Sequence, residues 1–189
     1  MECVILAAGS SSRLGMDKAL VDVGSQTLIS WISRRLSSRV ANITIVANES
    51  NFAEISKIVS DVNVILNRNP HEGRTGSLKV GIDSIDSSRV KDYRLLVVPV
   101  DRPGFSDSTL DHLICSEETC CPMKEGRGGH PLVLTFEDVD KVRKSSANSP
   151  LREVIEASRF EVLDRFLELN IDTPEDIINL QEKLQLVNG

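Results

Sequence analysis

Apolar residues in this chain alternate between short continuous runs and longer stretches with helical spacing. The continuous runs predict strands at residues 3–6, 42–47, 62–66 and 94–100. The stretches between them repeat apolar residues at helical intervals and predict helices at residues 26–36, 52–59 and 75–85. Strands that alternate with helices pair in parallel through right-handed crossovers, which predicts a three-layer α/β/α fold with a mostly parallel, Rossmann-like sheet.

The second half of the chain has a less regular pattern. Helical spacing predicts helices at residues 106–115, 136–144 and 150–157, and apolar runs predict strands at residues 132–134 and 160–163. A final helix is expected to begin after Thr173, since threonine can cap it, Pro174 suits its first position and Asp176 can complete a capping box. No repeat or long linker interrupts the pattern, so residues 1–189 are expected to form a single domain.

Composition narrows the class of protein. With 40% hydrophobic and 26% charged residues, a chain of 189 residues can bury one full core. The formal net charge of −6 argues against a nucleic-acid partner, and no apolar run is long enough to span a membrane, so we expect a cytoplasmic protein. The four cysteines lack the Cys-x-x-Cys spacing of a zinc site and are expected to be reduced, structural thiols.

The segment after the first predicted strand carries the most informative chemistry. Residues 6–18 read LAAGSSSRLGMDK, a loop of small residues with two cations, Arg13 and Lys18. Loops of this kind expose backbone N–H groups that converge on an anion, and the cations add fixed positive charge, which predicts a polyphosphate site. The alternative is an ordinary strand-to-helix turn with solvent-facing cations.

Spacing excludes two common nucleotide loops. A Walker A loop has four residues between its first glycine and a Gly-Lys-Ser/Thr sequence, whereas Gly15 follows Gly9 after five residues and Lys18 precedes an alanine. A dinucleotide fingerprint needs a second glycine two positions after the first, and Ser11 stands there. The loop therefore belongs to another class of phosphate site.

Two aspartates are candidates for holding a metal. Asp101 and Asp172 each follow a short apolar stretch. The carboxyl ends of parallel strands meet at one edge of a sheet, so Asp101 and the loop after Leu6 are expected to share that edge. Mg²⁺ prefers one or two carboxylates together with phosphate oxygens and water, which these aspartates could complement. A turn or capping role for Asp101 and a helix-start role for Asp172 are the alternatives.

Five motifs, in order, resemble those of the molybdenum cofactor nucleotidyltransferases. They are LAAG at 6–9 with Arg13, Gly15 and Lys18, NP at 69–70 with Gly73, Ser77 and Leu78, VPVDRP at 98–103, Gly126 with GHP at 129–131, and NIDTPED at 170–176. The cytidylyltransferase branch fits best and the guanylyltransferase branch second, because Ala8 stands where guanylyl enzymes usually have glycine. The resemblance implies a sheet of the nucleotide-diphospho-sugar transferase type.

The resemblance also implies a role for each motif residue. Arg13, Lys18 and Asp101 would be catalytic, and Asp101 and Asp172 would hold Mg²⁺. Arg102 and His130 would lie on the acceptor side. Arg102 stands where a neutral residue is commoner and could instead face solvent, and His130 could instead serve packing. The nucleotide-binding residues would be Leu6, Ala7, Ala8, Gly9, Ser10, Arg13, Lys18, Asn69, Gly73 and Ser77.

The implied reaction is transfer of a nucleoside monophosphate from an NTP, CTP before GTP, to the phosphate of molybdopterin, with release of pyrophosphate. Such a reaction rests on positioning and charge stabilisation, because a phosphomonoester is already mostly dianionic at neutral pH and needs no general base. A different phosphorylated small molecule is an alternative acceptor. A non-catalytic, nucleotide-binding cofactor chaperone is the alternative of another class, although it would have little need of two metal carboxylates.

Overall fold

A mixed sheet lies at the centre of the computed structural model, which describes residues 1–87, 92–178 and 180–187. The strands are β1 (Glu2–Ala7), β2 (Asp22–Val23), β3 (Gln26–Thr27), β4 (Asn42–Ala47), β5 (Asn63–Leu66), β6 (Leu95–Pro99), β7 (Cys120–Lys124), β8 (Arg127–Gly128), β9 (Leu132–Leu134) and β10 (Ser158–Glu161). Neighbouring strands of the eight-stranded sheet follow the order β10-β7-β9-β6-β1-β4-β5, and β8 pairs with β7. β2 and β3 form a separate two-stranded sheet.

The half of the large sheet around β1 is wholly parallel. β1 pairs in parallel with β4 on one side and with β6 on the other, and β4 continues in parallel to β5. β9 runs antiparallel to both β6 and β7, while β10 is parallel to β7. The carboxyl ends of β1, β4 and β6 therefore lie at the same edge, as the sequence predicted.

Helices connect these strands. They are α1 (Leu28–Ser37), α2 (Phe52–Ile58), α3 (Gly73–Asp86), α4 (Asp107–Cys115), α5 (Phe136–Lys144), α6 (Leu151–Val154), α7 (Pro174–Ile177) and α8 (Leu180–Gln185). Short 3-10 turns occupy Lys18–Leu20 and Pro70–Glu72. The hydroxyl of Ser106 accepts a hydrogen bond from Thr109 N–H at the start of α4, and the capping box predicted before α7 is present.

Alternate residues of β1 separate the core into two layers. Cys3 and Ile5 belong to a buried cluster with the apolar face of α1, including Leu28, whereas Val4 and Leu6 belong to a second cluster with residues of α3. This alternation follows from the pleat of a strand, which sends successive side chains to opposite faces. Because both faces are covered, the three-layer α/β/α prediction is confirmed.

Several predicted boundaries differ from the structure. The predicted helix at 26–36 begins at Leu28 because Gln26–Thr27 pairs with β2. Only Leu151–Val154 of the helix predicted at 150–157 is helical. The strand predicted at 160–163 lies instead at Ser158–Glu161, and Leu163 is 99% exposed. β7 had no apolar run to reveal it, since its Cys-Cys-Pro-Met-Lys sequence becomes a strand only by pairing with β8, β9 and β10.

The segment at residues 164–171, which we call the crossing segment, crosses the loop that follows β6. Ile171 N–H donates to the carbonyl oxygen of Asp101 at 3.0 Å, and Ser106 N–H donates to Asp164 Oδ2 at 2.8 Å. Gly104 makes this crossing possible, because a Cβ atom there would lie 1.8 Å from the carbonyl oxygen of Phe166. The crossing brings two parts of the chain that are distant in sequence to one edge of the sheet.

Two further features concern the expectations from composition. Within the described ranges, no helix has the length and apolar character needed to cross a bilayer. All four cysteines are free thiols, with Cys115 exposed and the others buried. Burial raises the pKa of the Cys3 thiol above its usual range.

We expect Gly104→Ala to destabilise the protein by about 3 kcal/mol, because the new methyl group would overlap the backbone of the crossing segment. Urea unfolding of both proteins measures the difference. Gly128→Ala is the matched control, since its Cβ would meet only the mobile end of Arg159 at 3.3 Å and the Cys121 sulfur at 3.5 Å. Equal stability of the Gly104→Ala and Gly128→Ala variants would contradict the close approach.

Candidate active site

A cavity of about 340 Å³ opens at the carboxyl edge of β1 and β6. The loop after β1, the beginning of α3, the end of β6 and the crossing segment surround it. The residues predicted for the site that line this cavity are Leu6, Ala7, Ala8, Gly9, Ser10, Arg13, Lys18, Gly73, Ser77, Asp101 and Asp172. Asn69, Arg102 and His130 do not line it.

The loop after β1 folds back on itself before it reaches Lys18. Leu14 and Gly15 N–H both donate to the carbonyl oxygen of Ser11, and the Ser11 hydroxyl accepts from Lys18 N–H at 3.2 Å. Gly15 has a φ of +77°, a conformation that side chains disfavour. Among the described residues, Ser10 N–H and Ser12 N–H have no protein acceptor, which leaves them available to an anion.

Lys18 lies between the two predicted metal carboxylates. Its ammonium group hydrogen-bonds Asp172 Oδ1 and stands 3.7 Å from Asp101 Oδ2. Asp172 Oδ2 accepts from Arg13 Nη2 at 3.1 Å and from Asn170 Nδ2 at 2.6 Å. The hydrogen bond from Lys18 is the main cause that lowers the pKa of Asp172, so its carboxyl stays ionised. All four charged residues predicted for catalysis or metal binding therefore meet in one place.

The two carboxylates fit a divalent cation that brings other ligands with it. Asp101 and Asp172 both face one ammonium group, so a cation is already accommodated between them. Within the described ranges, no cluster of three or more His, Cys, Asp or Glu side chains could hold a metal ion. A metal bound here would take its remaining ligands from phosphate oxygens and water, which is the preference of Mg²⁺.

Buried asparagines hold both ends of the loop after β1. Asn51, which is completely buried, donates from Nδ2 to the carbonyl oxygen of Ala7 at 2.9 Å and to Asp17 Oδ2 at 2.8 Å. Asn48 N–H donates to Asn51 Oδ1 at 2.9 Å, and Asn48 Nδ2 donates to the carbonyl oxygen of Gly9 at 3.1 Å. These bonds connect the turn after β4 to the start and the end of the loop, and we call them the asparagine brace.

A third asparagine organises the start of α3. Asn67 is buried, donates from Nδ2 to the Ser77 hydroxyl at 3.0 Å and accepts from Asn69 N–H at 2.8 Å. The Ser77 hydroxyl in turn donates to the carbonyl oxygen of Gly73 at 3.1 Å. Asn69 thus contributes its backbone to a turn, while Ser77 and Gly73 reach the cavity.

Sequence reasoning missed several residues of the site. Asp17 lines the cavity and caps the 3-10 turn that begins at Lys18, by accepting from Ala19 N–H at 2.9 Å. Asn48 directly follows the buried strand β4 and Asn51 lies three residues further on, so both were detectable as polar residues at the edge where ligands bind. Arg74 lines the cavity from the start of α3, and no motif pointed to it.

His130, one of the two predicted acceptor-side residues, lies beside Arg74, and the charge of the other, Arg102, also acts on His130. Arg74 Nη1 is 3.3 Å from His130 Nε2. Burial, and after it the charges of Arg74 and Arg102, lower the pKa of His130 from 6.5 to about 3. His130 is therefore a neutral imidazole near pH 7.

The architecture belongs to the class of α/β proteins that bind ligands at the carboxyl ends of parallel strands. Residues 3–162 match the family described as the MobA-like NTP transferase domain. The match covers most of the chain, and the protein belongs to this family. The resemblance that the motifs suggested is confirmed.

Relatives of this chain carry two kinds of name. It is 30% identical over 125 residues to a molybdenum cofactor guanylyltransferase of Vibrio atlanticus, a match that covers 65% of this chain and 56% of that protein. It is 25% identical to a molybdenum cofactor guanylyltransferase of Rhizobium johnstonii, over 98% of this chain and 94% of the relative. It is 19% identical to the molybdenum cofactor cytidylyltransferase of Escherichia coli, over 97% and 96%.

Solved structures share the fold. The homolog of Mycobacterium tuberculosis rv0371c from Mycobacterium sp. strain JC1 superposes with a TM-score of 0.76 at 20% identity, over 97% of this chain and 96% of that one. Molybdopterin-guanine dinucleotide biosynthesis protein A from Archaeoglobus fulgidus superposes with a TM-score of 0.67 at 18% identity, over 96% and 97%. At these identities the likeness establishes the architecture.

We expect Asn51→Ala to weaken NTP binding about tenfold and to lower the free energy of unfolding by about 2 kcal/mol, because the buried hydrogen bonds of the brace lose their partner. A fluorescent NTP analogue and urea unfolding measure the two effects. Asn63→Ala is the control, since Asn63 begins β5 at the opposite edge of the sheet. Unchanged nucleotide affinity in a destabilised Asn51→Ala variant would limit the brace to a role in folding.

The neutral state of His130 predicts a dependence of stability on pH. Its pKa is 6.5 when unfolded and about 3 when folded, so between these values the unfolded chain binds the extra proton. Stability from this group is complete above pH 6.5 and decreases as the pH falls toward 3, by at most about 1.4 kcal/mol per pH unit.

We therefore expect His130→Gln to lose stability less steeply than the unchanged protein between pH 6.5 and 4.5, as measured by urea unfolding at several pH values. His71→Gln, which changes an exposed histidine, should keep the original slope. Identical slopes for all three proteins would mean that His130 titrates normally in the folded state.

Proposed function

We propose that this protein transfers a nucleoside monophosphate from an NTP to the phosphate of molybdopterin, with release of pyrophosphate. The observation that carries the proposal is the convergence of Lys18, Asp101 and Asp172 beside the loop after β1. Membership of the MobA-like NTP transferase family and the names of its relatives support the reaction and the acceptor.

The cavity suits an in-line displacement at the α-phosphorus. The exposed N–H groups of the loop and the cations Arg13 and Lys18 would bind the triphosphate and stabilise the charge that develops on the leaving pyrophosphate. Lys18 is hydrogen-bonded to Asp172 and therefore oriented before the nucleotide arrives. The nucleophile is a phosphate dianion at neutral pH, so no side chain has to remove a proton.

We further propose that Asp101 and Asp172 hold Mg²⁺ during the reaction. A bound divalent cation would supply charge neutralisation for the triphosphate and the departing pyrophosphate. The chain itself contributes the two carboxylates, and the hydrogen bond from Asn170 orients one of them.

GTP is the nucleotide that most of the curated relatives support, since they are guanylyltransferases. We therefore propose GTP as the first candidate. CTP is the second, because Ala8 is buried against the cavity and its methyl group leaves less room beside a base than glycine would. The preference for CTP was inferred from Ala8 alone, so the two nucleotides have to be compared by experiment.

Pyrophosphate release with molybdopterin and Mg²⁺, and with GTP and CTP in parallel, tests the proposal. We expect release with one of the nucleotides and a loss of about 100-fold or more in Asp101→Asn, because a charge that stabilises the transition state is removed. Asp111→Asn is the matched control and should leave the rate unchanged, since Asp111 lies on α4, outside the cavity lining, and forms an ion pair with Arg39.

The outcomes separate the alternatives. Faster release with CTP would assign the protein to the cytidylyl branch. Tight binding of a nucleotide without release would favour a different phosphorylated acceptor or a non-catalytic cofactor chaperone. Equal rates in Asp101→Asn and the unchanged protein would remove Asp101 from the catalytic machinery.

A further inference from the structure

Arg74 and Arg102 are the charged neighbours of His130, and we call these three residues the arginine–histidine cluster. Arg74 Nη1 lies 3.3 Å from His130 Nε2. A guanidinium group can only donate hydrogen bonds, so Nε2 must be the acceptor and the proton of the neutral ring lies on Nδ1. The cluster thus presents an imidazole N–H donor in addition to its two guanidinium groups.

Two donors of the cluster are buried without a protein acceptor. Within the described ranges, His130 Nδ1 and Arg102 Nε are inaccessible to solvent and have no hydrogen-bond partner. Buried donors are normally paired, and an unpaired one needs a specific explanation. A ligand that offers acceptor oxygens would supply the missing partners.

The cluster is also electrically unbalanced. Among the described residues, neither Arg74 nor Arg102 has an acidic partner, and Asp101, the carboxylate next to Arg102 in sequence, faces Lys18. The low pKa of His130, about 3, reflects burial first and then the two neighbouring guanidinium groups. In a chain with a net charge of −6, an uncompensated pair of arginines is a local site for an anion.

Arg74 connects the cluster to the cavity of the proposed reaction, whereas Arg102 and His130 lie outside the cavity lining. Arg74 and Asp101 line the same cavity, and Arg102 directly follows Asp101. Arg74 is also the second residue of the fourteen-residue helix α3, whose N-terminal end favours negative charge. An anion bound here would therefore lie beside the loop that is proposed to hold the triphosphate.

We propose that Arg74, His130 and Arg102 form the subsite for the phosphomonoester dianion of the acceptor. They would select acceptors that carry a phosphomonoester over phosphodiesters and over alcohols that carry no phosphate. This inference rests on the proposed nucleotidyl transfer. Arg74 and Arg102 supply charge and forked donors, and His130 supplies a neutral donor that cannot bind a second proton near pH 7. The specificity lies in charge, because a diester carries only one negative charge and an alcohol none.

Direct binding tests this subsite without requiring turnover. The protein is first saturated with the α,β-methylene analogue of GTP or of CTP and Mg²⁺, so that Arg13 and Lys18 are occupied. Phenyl phosphate and its methyl diester are then titrated by calorimetry. We expect phenyl phosphate to bind and the diester to bind at least about tenfold more weakly, because the second charge is lost.

Variants identify the residues. Arg74→Gln and Arg102→Gln should each weaken phenyl phosphate binding by about tenfold and leave the affinity for the methylene nucleotide within about twofold. Arg102→Lys keeps the charge but loses the paired N–H donors of the guanidinium group, so it should bind phenyl phosphate more tightly than Arg102→Gln and less tightly than the unchanged protein. Arg34→Gln is the control, since Arg34 is exposed on α1 and its guanidinium group donates to Gln26 Oε1, away from the cavity. Because Arg74 is exposed, its variant is expected to fold normally.

Each outcome decides the inference. The inference would be overturned if phenyl phosphate did not bind, if the diester bound equally well, or if both glutamine variants bound phenyl phosphate as the unchanged protein does. A parallel loss of nucleotide affinity would overturn it as well, by assigning the cluster to the triphosphate. Cluster-dependent phenyl phosphate binding in a protein that releases no pyrophosphate with molybdopterin would uphold the subsite and reject the proposed acceptor.

Discussion

Parallel pairing of β1 with β4 on one side and β6 on the other constrains where this protein can bind a ligand. Parallel neighbours need crossover helices, which cover both faces of the sheet and bury β1 completely. Polar groups at the end of β1 can then reach solvent only at the carboxyl edge. The loop after β1 and Asp101 after β6 meet there for that reason.

At that edge, two carboxylates lie near the same ammonium group and repel each other. Asp101 and Asp172 come from parts of the chain that only the crossing segment brings together, through the bond from Ile171 N–H to the Asp101 carbonyl. Their repulsion is offset by Lys18, which faces both, and by Arg13, which faces Asp172. The same arrangement that stabilises the folded chain also forms the proposed site for a triphosphate and Mg²⁺.

Positive charge is divided between two places around the cavity. Lys18 and Arg13 are compensated by carboxylates, whereas the charges of Arg74 and Arg102 act on a neutral histidine. A transfer between two anionic substrates needs such a division, because each phosphate group has to be held against the repulsion of the other. The asparagine brace acts at a distance from these charges, by holding the backbone from which Arg13 and Lys18 project.

The sequence by itself determined the elements whose signal is local. The strand at 42–47 and the helix at 136–144 agree with the structure at both ends, because a continuous apolar run and a helical repeat beginning at a capping threonine are complete within a few residues. The motif residues around the nucleotide loop, with Asp101 and Asp172, were likewise readable as chemistry. Their roles remain predictions, although the cavity brings these residues together.

Only the tertiary structure decided the features that depend on distant partners. β7 was not predicted from the sequence and forms through pairing with β8, β9 and β10, and the contact of Lys18 with Asp172 joins residues 154 positions apart. The asparagine brace and the arginine–histidine cluster also depend on distant partners. The role of a buried asparagine, or of an unpaired imidazole N–H, is set by the groups packed around it and cannot be inferred from the neighbouring sequence. Local propensity acts along the chain, whereas burial and charge pairing act through space, and the latter placed the candidate site.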